Sequence, residues 1–148
     1  MHEGGSLGDF MRVITRKKRI LLVEDDERVA GAMQECLEQE YVIESVRDGE
    51  SALARFAAVA SDLVLLDINL GGGMSGLEVL RRLRGIDSTV PVIVTTGTDD
   101  YFTITTVLMR GAFAYIPKPI HLEQLLHLVS AAMPTPADIV VLPSAPSS

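Results

Sequence analysis

Leu63-Val64-Leu65-Leu66 runs straight into Asp67, and apolar residues resume on either side of Asn69, at Ile68 and Leu70. A run this apolar and this rich in branched side chains suits a strand buried on both faces of a parallel sheet. A carboxylate inside such a strand is costly to bury without a partner. Asp67 therefore belongs at the carboxyl end of the strand, where open α/β sheets bind their ligands. A strand-end acid can also do no more than cap the next turn, and the rest of the chain decides between these two roles.

Arg19-Ile20-Leu21-Leu22-Val23 ends in the same way, in Glu24-Asp25-Asp26. The periodicity predicts a helix over about Glu27 to Gln39, with Val29, Met33, Cys36 and Leu37 on one face, so Cys36 reads as a core thiol. Tyr41 to Val46 is a second strand, and Ser51 to Ala60 a small helix with Leu53 and Phe56 inward. The central strand covers Asp62 to Asp67 and leads into Gly71-Gly72-Gly73-Met74-Ser75-Gly76. A helix over Leu77 to Gly85 follows, with Leu77, Leu80 and Leu83 inward and Arg81, Arg82 and Arg84 on a solvated face. Val90 to Thr96 is the fourth strand, with Pro91 tolerable only near its start. Asp99 is placed to cap the helix from Tyr101 to Arg110, where Thr103-Ile104-Thr105-Thr106-Val107 are five β-branched residues in a row and poor helix formers. Ala114 to Pro117 makes a fifth strand, Lys118-Pro119 a turn, and His121 to Met133 the last helix, with Leu122, Leu125, Leu126 and Val129 as its inner stripe. His121 and His127 lack a partner at metal-ligand spacing and read as surface residues. Five strands alternating with five helices predict an α/β fold, a doubly wound parallel sheet covered on both faces.

The flanks read differently. Leu7, Phe10, Met11 and Ile14 share one helical face, so residues 1–18 are expected to be a leader containing a short helix, followed by the basic run Arg16-Lys17-Lys18-Arg19. From Pro134 to residue 148 the chain is Pro-, Ser- and Ala-rich and is expected to be a flexible tail. The formal net charge of −7 argues against nucleic-acid binding through this chain. One cysteine, Cys36, excludes an internal disulfide and fits a reducing cytoplasm, and no stretch has the form of an export signal.

Polar groups sit where the strands end: Glu24 and Asp25 after the first, Asp67 after the third, Thr96 after the fourth and Lys118 just past the fifth. Parallel strands bring these to one edge of the sheet. Clustered carboxylates repel one another, and a hard divalent cation such as Mg²⁺ resolves the conflict. Asp67 can then act as a nucleophile toward a phosphoryl group, with Thr96 and Lys118 on the phosphoryl oxygens. The match to a dinucleotide loop at Gly71, Gly73 and Gly76 follows the third strand and lacks the later strand-end acid, which disfavours a nucleotide site.

Over about residues 19–133 the chain resembles the receiver domain of two-component response regulators. The resemblance rests on Ile20-Leu21-Leu22-Val23-Glu24-Asp25-Asp26, Leu65-Leu66-Asp67-Ile68-Asn69-Leu70, Ser75-Gly76-Leu77-Glu78-Val79-Leu80, Pro91-Val92-Ile93-Val94-Thr95-Thr96-Gly97 and Gly111-Ala112-Phe113-Ala114-Tyr115-Ile116-Pro117-Lys118-Pro119, all in order. It implies the flavodoxin-like strand order 2-1-3-4-5. It also implies that Asp67 is the phosphoacceptor, that Asp25 binds Mg²⁺ directly with Glu24 acting through water, and that the Asn69 backbone carbonyl completes the metal site. Thr96 resembles the switch hydroxyl, Tyr115 the switch aromatic, and Lys118 the phosphate-binding lysine before a cis peptide to Pro119. Asp26 is left between metal ligand and helix cap. Two features depart from the pattern: Gly71 stands where the family usually has proline, and the loop to Ser75-Gly76 is one residue longer.

The function so implied is that of a signalling switch and not an enzyme. A sensor histidine kinase or histidine phosphotransfer protein donates the phosphoryl group, a face around residues 99–117 rearranges, and a downstream protein reads it, with room for a homodimer. The weak helix after Thr96 suggests that this face is mobile before activation. The alternatives are a Mg²⁺-dependent phosphohydrolase with an Asp nucleophile and an interaction module of the same fold that works without phosphorylation.

Overall fold

The computed structural model describes residues 11–97 and 99–143. Its elements are β1 (Met11–Lys17), β2 (Arg19–Val23), α1 (Glu27–Leu37), β3 (Val42–Val46), α2 (Gly49–Ala58), β4 (Leu63–Asp67), α3 (Gly76–Ile86), β5 (Val92–Thr96), α4 (Tyr101–Met109), β6 (Ala114–Pro117), α5 (Leu122–Ala132) and β7 (Ala137–Pro143). Strands β2 to β6 form one parallel sheet in the order β3-β2-β4-β5-β6. With β1 left out of the count this is the order 2-1-3-4-5 expected above.

The sheet is buried on both faces because its central strands carry unbroken apolar runs up to their polar carboxyl ends. All five residues of β4 and of β5 are buried. Alternate side chains point to opposite sides. Leu21, Val23, Val64, Leu66, Val92 and Val94 pack with Ala52, Phe56, Val79, Leu80, Leu83 and Val107, which covers that face with α2, α3 and α4. Ile20, Leu22, Leu63, Leu65, Ile93 and Ile116 pack with Ala30, Met33, Leu37, Leu125 and Val129, which covers the other face with α1 and α5. Each fully buried aliphatic side chain contributes about 1.5–3 kcal/mol.

Helix starts follow local chemistry. Asp26 caps α1 by accepting from the Arg28 and Val29 amides, Asp48 caps α2 through Ser51, and Ser75 caps α3 through Glu78. Helix α4 is capped by Asp100 rather than Asp99: the Asp100 carboxylate accepts from the Phe102 amide and from the Thr103 hydroxyl. Cys36 is half-buried, and burial pushes its thiol pKa up, which suits an unreactive packing residue. His121 and His127 are exposed.

Leu122, expected on the inner stripe of the last helix, is exposed. Three further expectations are corrected. The stretch from Met11 to Lys17, part of the expected helical leader, is a strand that pairs antiparallel with β7 in full register from Met11↔Pro143 to Lys17↔Ala137. Its β-branched residues Val13, Ile14 and Thr15 favour a pleated strand over a helix. The tail correspondingly contributes a strand where a flexible segment was expected, with Ile139-Val140-Val141 at its centre. Leu7 and Phe10, and residues 144–148, lie outside the described residues. The third correction is Arg84. Arg81 and Arg82 are exposed and pair with Glu78, but Arg84 turns inward and donates to the carbonyls of Asp87, Val90 and Gly111.

Candidate functional site

The carboxyl ends of β2, β4, β5 and β6 meet at one edge of the sheet. An open cleft there is lined by Glu24, Asp25, Asp26, Asp67, Asn69, Gly97, Asp99 and Lys118. Asp67 ends β4 and is buried, and the amide of Asn69 donates to its Oδ1 at 2.8 Å. Lys118 Nζ lies 3.0 Å from Asp67 Oδ2 and 3.0 Å from Glu24 Oε1, so one ammonium bridges two buried carboxylates. The Lys118–Pro119 peptide is cis, as the resemblance implies.

The backbone can approach closely here because residue 76 is glycine. A Cβ on Gly76 would lie 2.5 Å from the Ile68 Cα and 2.6 Å from the Asp67 carbonyl oxygen. The N-terminus of α3 is thereby pressed against the end of β4. The intervening loop turns through Gly72 and Gly73, at φ +67° and +52°.

Electrostatics follow from burial. Burial pushes the Glu24 carboxyl up to about 7, and Asp67 adds to this, while Lys118 and the Asp26 amide pull the other way. Burial works against the Lys118 ammonium, but the carboxylates of Asp67 and Glu24 outweigh it and hold its pKa above the ordinary value. The Gly71 amide donates to Asp25 Oδ2 at 3.0 Å and, against a smaller effect of burial, holds that carboxyl below its usual value.

Glu24, Asp25 and Asp67 each offer an oxygen within 4.8 Å of the others. Glu24 Oε1 is buried, and its partner is the Lys118 ammonium at 3.0 Å. Hard oxygen donors from three acids that share a single lysine fit a divalent cation such as Mg²⁺. Asp26 also lines the cleft, but its Oδ1 is taken up by the helix cap, and the acids whose oxygens cluster with Asp67 are Glu24 and Asp25.

Thr96 is buried beside this group, and its hydroxyl donates to Asn69 Oδ1 at 3.3 Å, an oxygen that also accepts from the Gly97 amide at 3.0 Å. Tyr115 is half-buried against the core on β6. Glu24, Asp67, Asn69 and Lys118 are thus linked to Thr96 by direct contacts, and Tyr115 stands one strand further out. Sequence reasoning missed two contacts: the Asn69 side chain as the link between the ends of β4 and β5, and the Gly71 amide on Asp25. The residue type of Asn69 is a usable signal for the first. The second comes from a backbone group and leaves no trace in residue type.

The comparisons with known proteins agree with this geometry. Residues 20–130 match the family model described as the response regulator receiver domain. The chain is 44% identical over 118 residues to an uncharacterized transcriptional regulatory protein, YkoG, of Bacillus subtilis, covering 79% of this chain and 51% of that protein. It is 37% identical over 109 residues to the transcriptional regulatory protein TrcR of Mycobacterium tuberculosis, covering 73% of this chain and 42% of that one. The chain therefore spans about half the length of these curated relatives. Among solved structures, a CheY-like receiver domain protein from Methanospirillum hungatei superposes with a TM-score of 0.74 at 31% identity, over 78% of this chain and 92% of that one. The receiver domain of NtrX from Brucella abortus gives 0.74 at 30% identity, over 78% and 98%. Fold, strand-end chemistry and sequence agree, and the chain belongs to the response regulator receiver domain family.

Proposed function

We propose that Asp67 accepts a phosphoryl group from a phosphohistidine on a sensor kinase or histidine phosphotransfer protein. The observation that carries this is the Lys118 bridge: a buried strand-end carboxyl group is positioned at an acidic cleft by an ammonium 3.0 Å away. An oxygen of Asp67 attacks phosphorus, the bond from phosphorus to the histidine nitrogen breaks, and that nitrogen leaves with the electron pair. Glu24, Asp25, Asp67 and the Asn69 carbonyl would hold Mg²⁺, which offsets charge on the phosphoryl oxygens. Lys118 supplies a further positive charge beside the acceptor, 3.0 Å from Asp67 Oδ2.

The product adds about −1.5 to −2 charge beside a hydroxyl and an ammonium. Thr96 is one strand over, and in this reading its hydroxyl exchanges Asn69 for a phosphoryl oxygen. Tyr115 then moves inward, and α4 with β6 presents an altered face to a downstream protein. The role is that of a switch without catalytic turnover on other molecules.

Intact mass after incubation with Mg²⁺ and acetyl phosphate tests the acceptor. One phosphoryl adduct on the parent, absent from Asp67→Asn, is the expected result. An adduct that survives the substitution would place the acceptor elsewhere. Sustained release of phosphate from an ester would instead favour a phosphohydrolase.

A further inference from the structure

The three acids of the cleft do not hold their positions in the same way. Glu24 is fixed by Lys118 and by the Asp26 amide, which donates to its Oε2 at 3.1 Å. Asp67 is fixed by Lys118 and the Asn69 amide. Asp25 lies nearer solvent, and the group that reaches it from another element is the Gly71 amide, at 3.0 Å from Oδ2. Gly71 is 46 residues away in sequence, in the loop between β4 and α3.

An acid beside two other carboxylates is repelled toward water unless something holds it in place. A backbone N–H does this without adding a charge that would compete with a cation. A carboxylate has about four acceptor positions, so a bond to Oδ2 leaves its other oxygen and one more lone pair for a metal. Carboxylates that ligate metals are commonly oriented by such hydrogen bonds, and removing the partner typically costs about 10- to 100-fold in affinity. The absence of a side chain at residue 71 also matters. A Cβ there would come within 3.2 Å of Asp25 Oδ2, so glycine lets the amide approach at hydrogen-bond distance without crowding the carboxylate.

We propose that the Gly71 N–H is a positioning group for the metal site, orienting Asp25 and coupling cation binding to the glycine loop before α3. This rests on the reading of Glu24, Asp25 and Asp67 as a Mg²⁺ site. Metal binding and the Gly71 bond then reinforce each other, and the cation tightens the glycine segment of the loop beyond the ligand that Asn69 supplies.

Isothermal titration of Mg²⁺ into the full chain distinguishes the possibilities, using the parent, Gly71→Ala and Gly71→Pro. Alanine keeps the N–H and needs the Asp25 carboxylate to shift by only tenths of an ångström, whereas proline removes the donor. The expected result is Mg²⁺ affinity near the parent's for alanine and about 10-fold weaker for proline. Melting temperatures in EDTA should stay alike. Hydrogen exchange at the Gly71 amide of the parent gives a reading that needs no variant: Mg²⁺ should slow it. A folded Gly71→Pro that binds Mg²⁺ as tightly as the parent overturns the proposal, as does faster Gly71 exchange in Mg²⁺. A parent that takes up no Mg²⁺ at all overturns the metal site itself, and the positioning role falls with it.

Discussion

Glu24 gives the domain a pH dependence between the ordinary carboxyl range and neutrality. In the folded chain its carboxyl holds a proton up to about pH 7, whereas its ordinary value is 4.5. Between these values the folded state binds more protons than the unfolded one, so stability falls as pH rises through that window. One pKa unit corresponds to about 1.4 kcal/mol, which sets the loss at no more than a few kcal/mol. Chemical denaturation in EDTA across pH 4.5–7.5 should show this decline, and Glu24→Gln should flatten it. Added Mg²⁺ should also flatten it, by favouring the ionised form. A parent whose stability rises over the same range would contradict the assignment. Asp25 works in the opposite sense, since its lowered carboxyl contributes stability that is lost as pH falls below its ordinary value of 3.8. The acid residues were legible in the sequence, and the family resemblance implied roles for Glu24, Asp25 and Asp67, but the role of Asp26 stayed open between metal ligand and helix cap. Asp26 differs from its neighbours only in facing the first turn of α1, where two amides capture it.

Two adjacent elements show how differently a helix can be held. Helix α3 buries Gly76, Val79, Leu80 and Leu83, whereas α4 buries Val107 and leaves Tyr101, Phe102 and Met109 about four-fifths exposed. Five β-branched residues in succession add poor propensity to this thin contact. Amide exchange in α4 should therefore proceed through local opening at lower free energy than in β4. Equal protection of the two would show that α4 is held by more than its packing. Its far end does have a clamp. Arg84 Nη2 donates to the Gly111 carbonyl at 2.7 Å, and Nη1 to Val90 at 2.6 Å. Removing a charged donor from part-buried carbonyls costs about 1–3 kcal/mol, so Arg84→Ala should lower stability by that amount, read from denaturant midpoints at constant slope. The sequence reading identified both helices but placed Arg84 among solvated arginines. A helical wheel assigns a Cβ direction and takes no account of how far a long side chain reaches back over its neighbours.

At the scale of the molecule, the parallel sheet was legible because its central strands carry apolar runs with polar ends and because a helix separates each strand from the next. The β1/β7 ribbon carries no such signal. Its two strands lie at opposite ends of the described chain, and four apolar positions at helical spacing outweighed the β-branched Val13, Ile14 and Thr15 in the local reading. The ribbon register continues to the Lys18 amide on the Pro136 carbonyl at 2.9 Å, the Lys18–Asp138 ion pair lies at 3.2 Å, and Lys17 Nζ donates to the Gln39 carbonyl of the sheet domain at 3.2 Å. Every residue of β1 is exposed, with Val13 at 66% and Ile139 on β7 at 74%. A two-stranded ribbon without a covered face adds little stability of its own. A chain trimmed to residues 18–136 should therefore keep the five-stranded sheet and lose less than about 1 kcal/mol, a shift of no more than roughly 2–4 °C in melting temperature for a domain of this size. Its core amide resonances should superpose on those of the full chain. A larger fall, or loss of dispersion at Val64 and Ile93, would mean that the ribbon clamps the two ends of the sheet domain together.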